Sequence, residues 1–143
     1  MQLSPIVTRL LTVEALDGRV YLAPTVSDAA EMLTTKAQIV PMSVLTAARE
    51  KASASQRLDN MPARHQVTCN FTVATAVRYA GNAMQAADDL DDVVRSVRAA
   101  LLGWIPDGYE RQCYYLGGQL LPAGPGVLIW GDSFDTIYSE DAL

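Results

Sequence analysis

A chain of 143 residues with 16 acidic side chains against 11 Lys and Arg, one His and a formal charge of −5 can bury a core without staples, and its acidity argues against a broad nucleic-acid-binding face. Half of the residues are hydrophobic and mean hydropathy is +0.10, which favours a subunit that hides surface in an assembly, yet no apolar run approaches the ~18 residues of a membrane span. Two cysteines without CxxC spacing exclude a disulfide scaffold, and Met-Gln-Leu-Ser-Pro lacks the basic and apolar regions of a secretory signal, so a cytoplasmic chain is expected.

Ser4-Pro5 has the form of a helix cap followed by proline at the first helical position. Ile6, Val7, Leu10, Leu11 and Val13 carry that first helix to about Leu16. Asp17-Gly18 turns the chain into a short strand, Arg19-Val20-Tyr21-Leu22, closed by Pro24. Ser27-Asp28 predicts the cap of a second helix through Ala29, Ala30, Met32 and Leu33. Gln38 to Leu45 is apolar and β-branched enough for a strand, with Pro41 marking an edge or bend.

From Thr46 to Arg64 no period is sustained. Arg49, Lys51, Arg57 and Arg64 outnumber Glu50 and Asp59 there, making it the one locally basic segment. Long structureless stretches in compact domains are functional or disordered. The segment therefore reads as a solvated loop or as an arm that orders on a partner.

Gln66 to Tyr79 alternates. Val67, Cys69, Phe71, Val73, Val77 and Tyr79 share one face; Gln66, Thr68, Asn70, Thr72 and Arg78 share the other, with Ala74 and Ala76 among them. That pattern predicts a strand of an antiparallel sheet, one face buried and one polar. Gly81-Asn82 turns the chain into a helix over 86–104. Leu90, Val93, Val94, Val97, Leu101 and Trp104 form its apolar stripe, four Asp crowd its start, and Gly103 and Pro106 stop it. The helix is the natural cover for the strand's apolar face. At ~3.3 Å per residue the strand spans ~40 Å, whereas the helix covers only about 25 Å of it. A neighbouring subunit is expected over the remainder. Arg111 to Leu121 reads as a hairpin turning on Gly117-Gly118. Val127 to Tyr138 reads as a last strand whose alternation changes phase at Gly131-Asp132, where a bulge is expected.

No motif carries chemistry. Asp88, Asp89, Asp91 and Asp92 read as a charged helical turn, with no second carboxylate or histidine cluster to complete a metal site. His65 stands without a Cys or Asp constellation. Gly117-Gly118 lacks the Lys-Ser/Thr of a phosphate loop, and Asp132-Ser133-Phe134-Asp135 is no nucleophile elbow. Trp104, Tyr114, Tyr115 and Trp130 have no interleaved basic residues to make a base-stacking platform. No catalytic residue, cofactor or metal is expected, and Cys69 and Cys113 read as small buried hydrophobes.

Four pieces in order carry a resemblance: the first helix leading into Asp17-Gly18-Arg19-Val20-Tyr21; the strand Gln66–Tyr79; Leu90-Asp91-Asp92-Val93-Val94-Arg95 through Leu102-Gly103-Trp104-Ile105-Pro106; and Tyr115-Leu116-Gly117-Gly118-Gln119-Leu120 followed by Val127-Leu128-Ile129-Trp130 and Phe134. Together they resemble the tail terminator proteins of long-tailed, Mu-like bacteriophages. The resemblance implies a single α+β domain over 1–143, with a mixed, mainly antiparallel sheet and helices packed on one face. It implies a homohexameric ring, a virion component assembled in the host cytoplasm, that stops growth of the tail tube and docks the head connector. DNA would pass through an acidic lumen without specific binding, and no membrane is involved. Candidate interface residues are Arg49, Lys51, Arg57 and Arg64 on the basic segment, Gln66, Thr68, Asn70 and Thr72 on the polar strand face, and Trp130 and Phe134 on the last strand. Two other readings stay open. One is another head–tail joining protein; the other is a small ligand-binding or enzymatic domain centred on Asp132 and Asp135 beside Tyr114.

Overall fold

A computed structural model describes residues 2–37, 41–55 and 64–141. In order the elements are α1 (Ser4–Leu10), a 3-10 turn (Glu14–Leu16), β1 (Val20–Leu22), α2 (Val26–Lys36), β2 (Met42–Ser55), β3 (Arg64–Arg78), α3 (Ala83–Leu101), β4 (Tyr114–Leu121) and β5 (Val127–Asp141). The strands form one sheet in the order β1-β2-β3-β5-β4. β1 runs parallel to β2 and the other neighbours are antiparallel. The α+β class and the mainly antiparallel sheet are as expected.

Helices, however, lie on both faces of the sheet. On one face Leu45, Phe71, Val73 and Phe134 pack with Ile6 and Leu10 of α1 and with Val93, Val97 and Leu101 of α3. On the other, Val44, Ala74, Ala76 and Ile129 pack with Ala29 and Leu33 of α2. Ala74 and Ala76 stand among the polar residues of that strand face, and their small side chains let α2 approach. Arg78 then ties α2 down, its Nε donating to Ala37 O at 2.7 Å and its Nη2 to Thr34 O at 2.9 Å. The strand face expected to be polar is thus buried over its second half.

Capping residues set the helix bounds. Thr25 Oγ1 accepts from Asp28 N at 3.1 Å to begin α2, and Asn82 Oδ1 accepts from Gln85 N at 3.1 Å to begin α3. Ser4 is the first residue of α1 rather than its cap, and Pro5 sits in the opening turn. Because α3 starts at Ala83, its four Asp fall beyond the first turn, where the helix dipole is weak. Asp91 instead pairs with Arg95 at 2.8 Å. The predicted stripe holds: Leu90, Val93, Val94, Val97 and Leu101 are buried. The stop holds too, with Gly103 at φ 75 after Leu102.

Three further expectations change. Residues 46–55 are the outer half of β2, not an irregular segment. Arg49 to Ser53 are all exposed, and a strand with neither face buried has no apolar alternation to read. Residues 56–63 lie outside the described residues. Next, Gly117-Gly118 is no turn: β4 runs straight through it, with a bulge between Tyr115 and Gly117, and the hairpin turn is at 122–126. Last, β5 pairs with β3 in one unbroken register from Val127 to Asp141, without a bulge at Gly131-Asp132. Its phase change marks burial on both faces, Ile129 under α2 and Phe134 under α1 and α3.

Candidate assembly surfaces

β1 pairs with β2 only at 43–45, and β4 pairs with β5 only over 129–135. Beyond those points β2, β3 and β5 continue as a three-stranded ribbon. From Thr46 to Ser55 the ribbon extends ~30 Å at ~3.3 Å per residue. One of its faces carries the rows Arg49–Asn70–Asp135, Lys51–Thr68–Ile137 and Ser53–Gln66–Ser139. Asn70 Nδ2 donates to Asp135 Oδ1 at 3.2 Å. Arg49 and Lys51 are exposed and form no ion pair among the described residues.

The chain's own 104–113 segment braces the opposite face of the ribbon. Glu110 N donates to Ile137 O at 2.7 Å, Thr136 Oγ1 donates to Arg111 O at 2.8 Å, and the Tyr109 ring meets Tyr138 edge-on at 5.7 Å. Cys69 is buried there. Burial and the nearby Glu50 push its thiol up to about 12, and burial alone pushes Cys113 up to about 11. Both thiols stay protonated and inert at neutral pH, consistent with small buried hydrophobes.

A second feature joins α3 to β4 and β5. The Asp132 carboxylate, 2% exposed, accepts Arg98 Nε at 2.8 Å and Arg98 Nη2 at 3.0 Å. It also accepts Trp130 Nε1 at 2.7 Å and the Tyr115 hydroxyl at 3.2 Å. Arg98 lies 4.6 Å from the Tyr115 ring centroid. The bonded carboxylate raises the Arg98 pKa, and burial followed by the Asp132 charge raises that of Tyr115. Asp132 is therefore fully engaged as a structural anchor. Asp135 points to the opposite sheet face. The two carboxylates do not converge on a site, which removes the centre of the enzymatic reading.

A third feature is β4 itself, an eight-residue edge strand. Tyr114, Tyr115, Leu116 and Leu120 are exposed along it, Leu120 at 61%. Long apolar edges are pairing sites that proteins cover or use. Between this strand and α3 lies an apolar groove of about 290 Å³, lined by Ala87, Leu90, Val94, Leu120, Leu128 and Trp130, with Asp91 at its rim.

The candidate interface residues separate accordingly. Arg49, Lys51, Gln66, Thr68 and Asn70 come together on the ribbon; Arg64 opens β3, paired with Ser55 and Asp141. Arg57 lies outside the described residues. Thr72 is 6% exposed and hydrogen-bonds Ser133 at 3.2 Å inside the body. Trp130 is half-buried at the groove. Phe134 is fully buried and stacks on Phe71 at 5.4 Å, so it belongs to the core, not to an interface. Leu116 and Leu120 were missed because a hairpin turn at Gly117-Gly118 would have concealed the open edge.

The model of the phage tail terminator protein family matches residues 1–141. Among solved structures, a chain from the virion of a native gene transfer agent particle shares the fold. It is 17% identical, with 94% of this chain and 92% of that chain covered at a TM-score of 0.55. Comparison with curated protein sequences gives no match. With the family's model running through the first helix, the full sheet and α3 to the end of β5, this chain belongs to the phage tail terminator family.

Proposed function

We propose that the chain is the subunit of a hexameric ring on the head-proximal end of a phage-type tail tube. There it stops tube polymerisation and offers the docking surface for the head connector. Its family is a structural one of the virion. The observation that carries the reading is the family match through residues 1–141. The sheet adds support, because its outer β2 edge and its β4 edge lie on opposite sides of one chain. A subunit with two different lateral surfaces builds rings by head-to-tail contact. The formal charge of −5 suits a lumen through which DNA slides, since like charges repel within the ~8–10 Å Debye length of physiological salt.

Deleting the gene in its phage tests this directly. Tails of uncontrolled length that fail to join heads are expected in electron micrographs, and tails of normal length joined to heads would refute the terminator role. Purified protein should form rings that bind tube ends.

A further inference from the structure

We infer that neighbouring copies of this chain join their sheets. β4 of one copy pairs antiparallel with the outer half of β2 of the next, with Gln119 opposite Arg49. The inference deepens the ring reading and rests on it only for the closure of the repeat into a ring.

Both edges are open. Among the described residues nothing pairs with β4 on the side away from β5, nor with β2 beyond Leu45 on the side away from β3. The two edges cannot meet within one chain, because β3 and β5 hold them ~14 Å apart at ~4.8 Å per strand. β2 and β5 run one way, β3 and β4 the other. An identically oriented neighbour therefore offers β4 an antiparallel partner, the commoner kind of pairing. The lengths also match. The open edge of β2 runs from Thr46 to Ser55 around one bulge, and β4 runs from Tyr114 to Leu121 around another, two register steps shorter.

Side chains select the register. Gln119 beside Gly131 lies on the same sheet face as Arg49 in its row with Asn70 and Asp135. Only registers that keep such residues opposite each other carry the two faces on from copy to copy, and the open edge admits two. With Gln119 opposite Arg49, Gly118 and Gly117 face Glu50 and Lys51, while Tyr115 and Tyr114 face Ala52 and Ser53. Bulk then meets space on both strands, and the ribbon's polar face abuts Gln119 and Tyr114 of the neighbour. Moved by two steps, the glycines face Ala52 and Ser53, gap against gap, and Leu120 faces the Glu50 carboxylate. The first register also houses Lys51. A cavity of about 340 Å³ opens on that face beside Gly117, lined further by Val26, Thr72, Gln119 and Ser133. The lysine's aliphatic stem can lie over Gly117 with its ammonium toward the Thr72 and Ser133 hydroxyls.

The same register closes. Within its own copy Gln119 is level with Val44, and Arg49 stands four register steps further along β2. Each copy thus advances ~13 Å along the strands for ~19 Å across four strands. Such a repeat returns on itself when its strands tilt about 35° from the ring axis, within the ~35–45° typical of closed sheets. The contact is heterologous, the β4 edge of one copy on the β2 edge of the next.

Paired cysteines test the register in the full-length chain. Ser53→Cys with Tyr114→Cys in one chain should give, on oxidation, a ladder of linked copies that ends at the closed ring. A mixture of the two single variants should stop at linked pairs, and neither single variant should link alone. Cys69 and Cys113 stay silent because both are buried. Self-linked Tyr114→Cys copies would replace the proposal with a two-fold β4–β4 contact. Rings that assemble yet link neither on oxidation nor with a short bis-maleimide would overturn the edge pairing while leaving the ring reading standing. An unaltered protein that stays monomeric even with tail tubes present would overturn both. A second variant, Ala52→Trp, alters a residue exposed in the single chain and sets a large ring against Tyr115 of the neighbour. Its thermal melt should be unchanged and its association at least on the order of tenfold weaker; unimpaired ring formation counts against this register.

Discussion

Gly118 of β4 lies directly opposite Asp132 of β5, and the Asp132 carboxylate occupies the space a side chain at 118 would need. A Cβ there would also fall 2.6 Å from Trp130 Nε1 and 2.9 Å from the Tyr115 hydroxyl. Gly118 thus makes room for a buried carboxylate and its donors. Gly118→Ala must push these groups apart, which is overpacking at a cost of about 1–3 kcal/mol. The expected result is a lower urea midpoint with an unchanged slope. An unaffected midpoint would mean that the carboxylate moves aside freely.

The pairing of Arg98 with Asp132 has a different signature. Arg98→Ala leaves a buried charge with only Trp130 and Tyr115 as donors, and should cost about 3 kcal/mol, at the lower end for a broken buried pair. Replacing both partners, as Arg98→Met with Asp132→Leu, should recover much of that loss, because neither charge remains to be desolvated. Equilibrium unfolding of the two single variants and the double variant measures the coupling. A double variant as unstable as the sum of the singles would show that the pair contributes through packing alone.

Much of this architecture was legible wherever burial is one-sided. The α3 stripe showed its period because only one face of that helix meets the core, and β3 showed alternation through Val67, Cys69, Phe71 and Val73 for the same reason. The outer half of β2 was illegible because solvent touches both of its faces, so Arg49 to Ser53 carry no apolar rhythm. β5 misled in the opposite way: with Ile129 and Phe134 buried on opposite faces, its rhythm looked broken while its pairing is regular. Gly117-Gly118 looked like a turn because its true causes are not local in sequence: Gly118 leaves space for the distant Asp132, and Gly117 takes φ 146 at the β4 bulge. Of the candidate interface, Gln66, Thr68 and Asn70 were readable as polar strand positions and Arg49 and Lys51 only as basic residues, whereas Leu116 and Leu120 needed the sheet order to reveal them as an edge.

Alkaline pH should unfold the protein in a definite order. Burial raises Cys69 from 9.0 to about 12, Cys113 from 9.0 to about 11, and Tyr109 from 10.0 to about 12. Each group keeps its proton in the folded state after the unfolded chain has lost it. Stability from these groups is fully present below their unfolded values and is lost as pH rises through the folded ones. Thermal melts should therefore show no alkaline decline from these groups below about pH 9, where the unfolded thiols begin to titrate, and a steepening fall from there to 12. Cys69→Ala with Cys113→Ala should move the onset up towards 10, where Tyr109 takes over. An onset that stays at 9 would assign the decline to other groups.

Phe134 and Thr68 sit on the two sheet faces and should fail in opposite ways. Phe134 is fully buried against Phe71 and Tyr115, with ring centroids 5.4 Å and 5.7 Å away. Phe134→Ala opens a cavity under α1 and α3 and should cost about 3–5 kcal/mol. Thr68 stands half-exposed in the middle row of the ribbon, between Lys51 and Ile137. Thr68→Lys on that surface should change stability by no more than about 0.5 kcal/mol. If the exposed ribbon face meets a partner, as proposed, it should nonetheless reduce assembly, because a long cation beside Lys51 alters that face. Unfolding curves and electron micrographs of each variant separate the outcomes: a stable Thr68→Lys protein with normal tail capping would assign the ribbon's polar face to solvent, and the interface to the β4 edge alone.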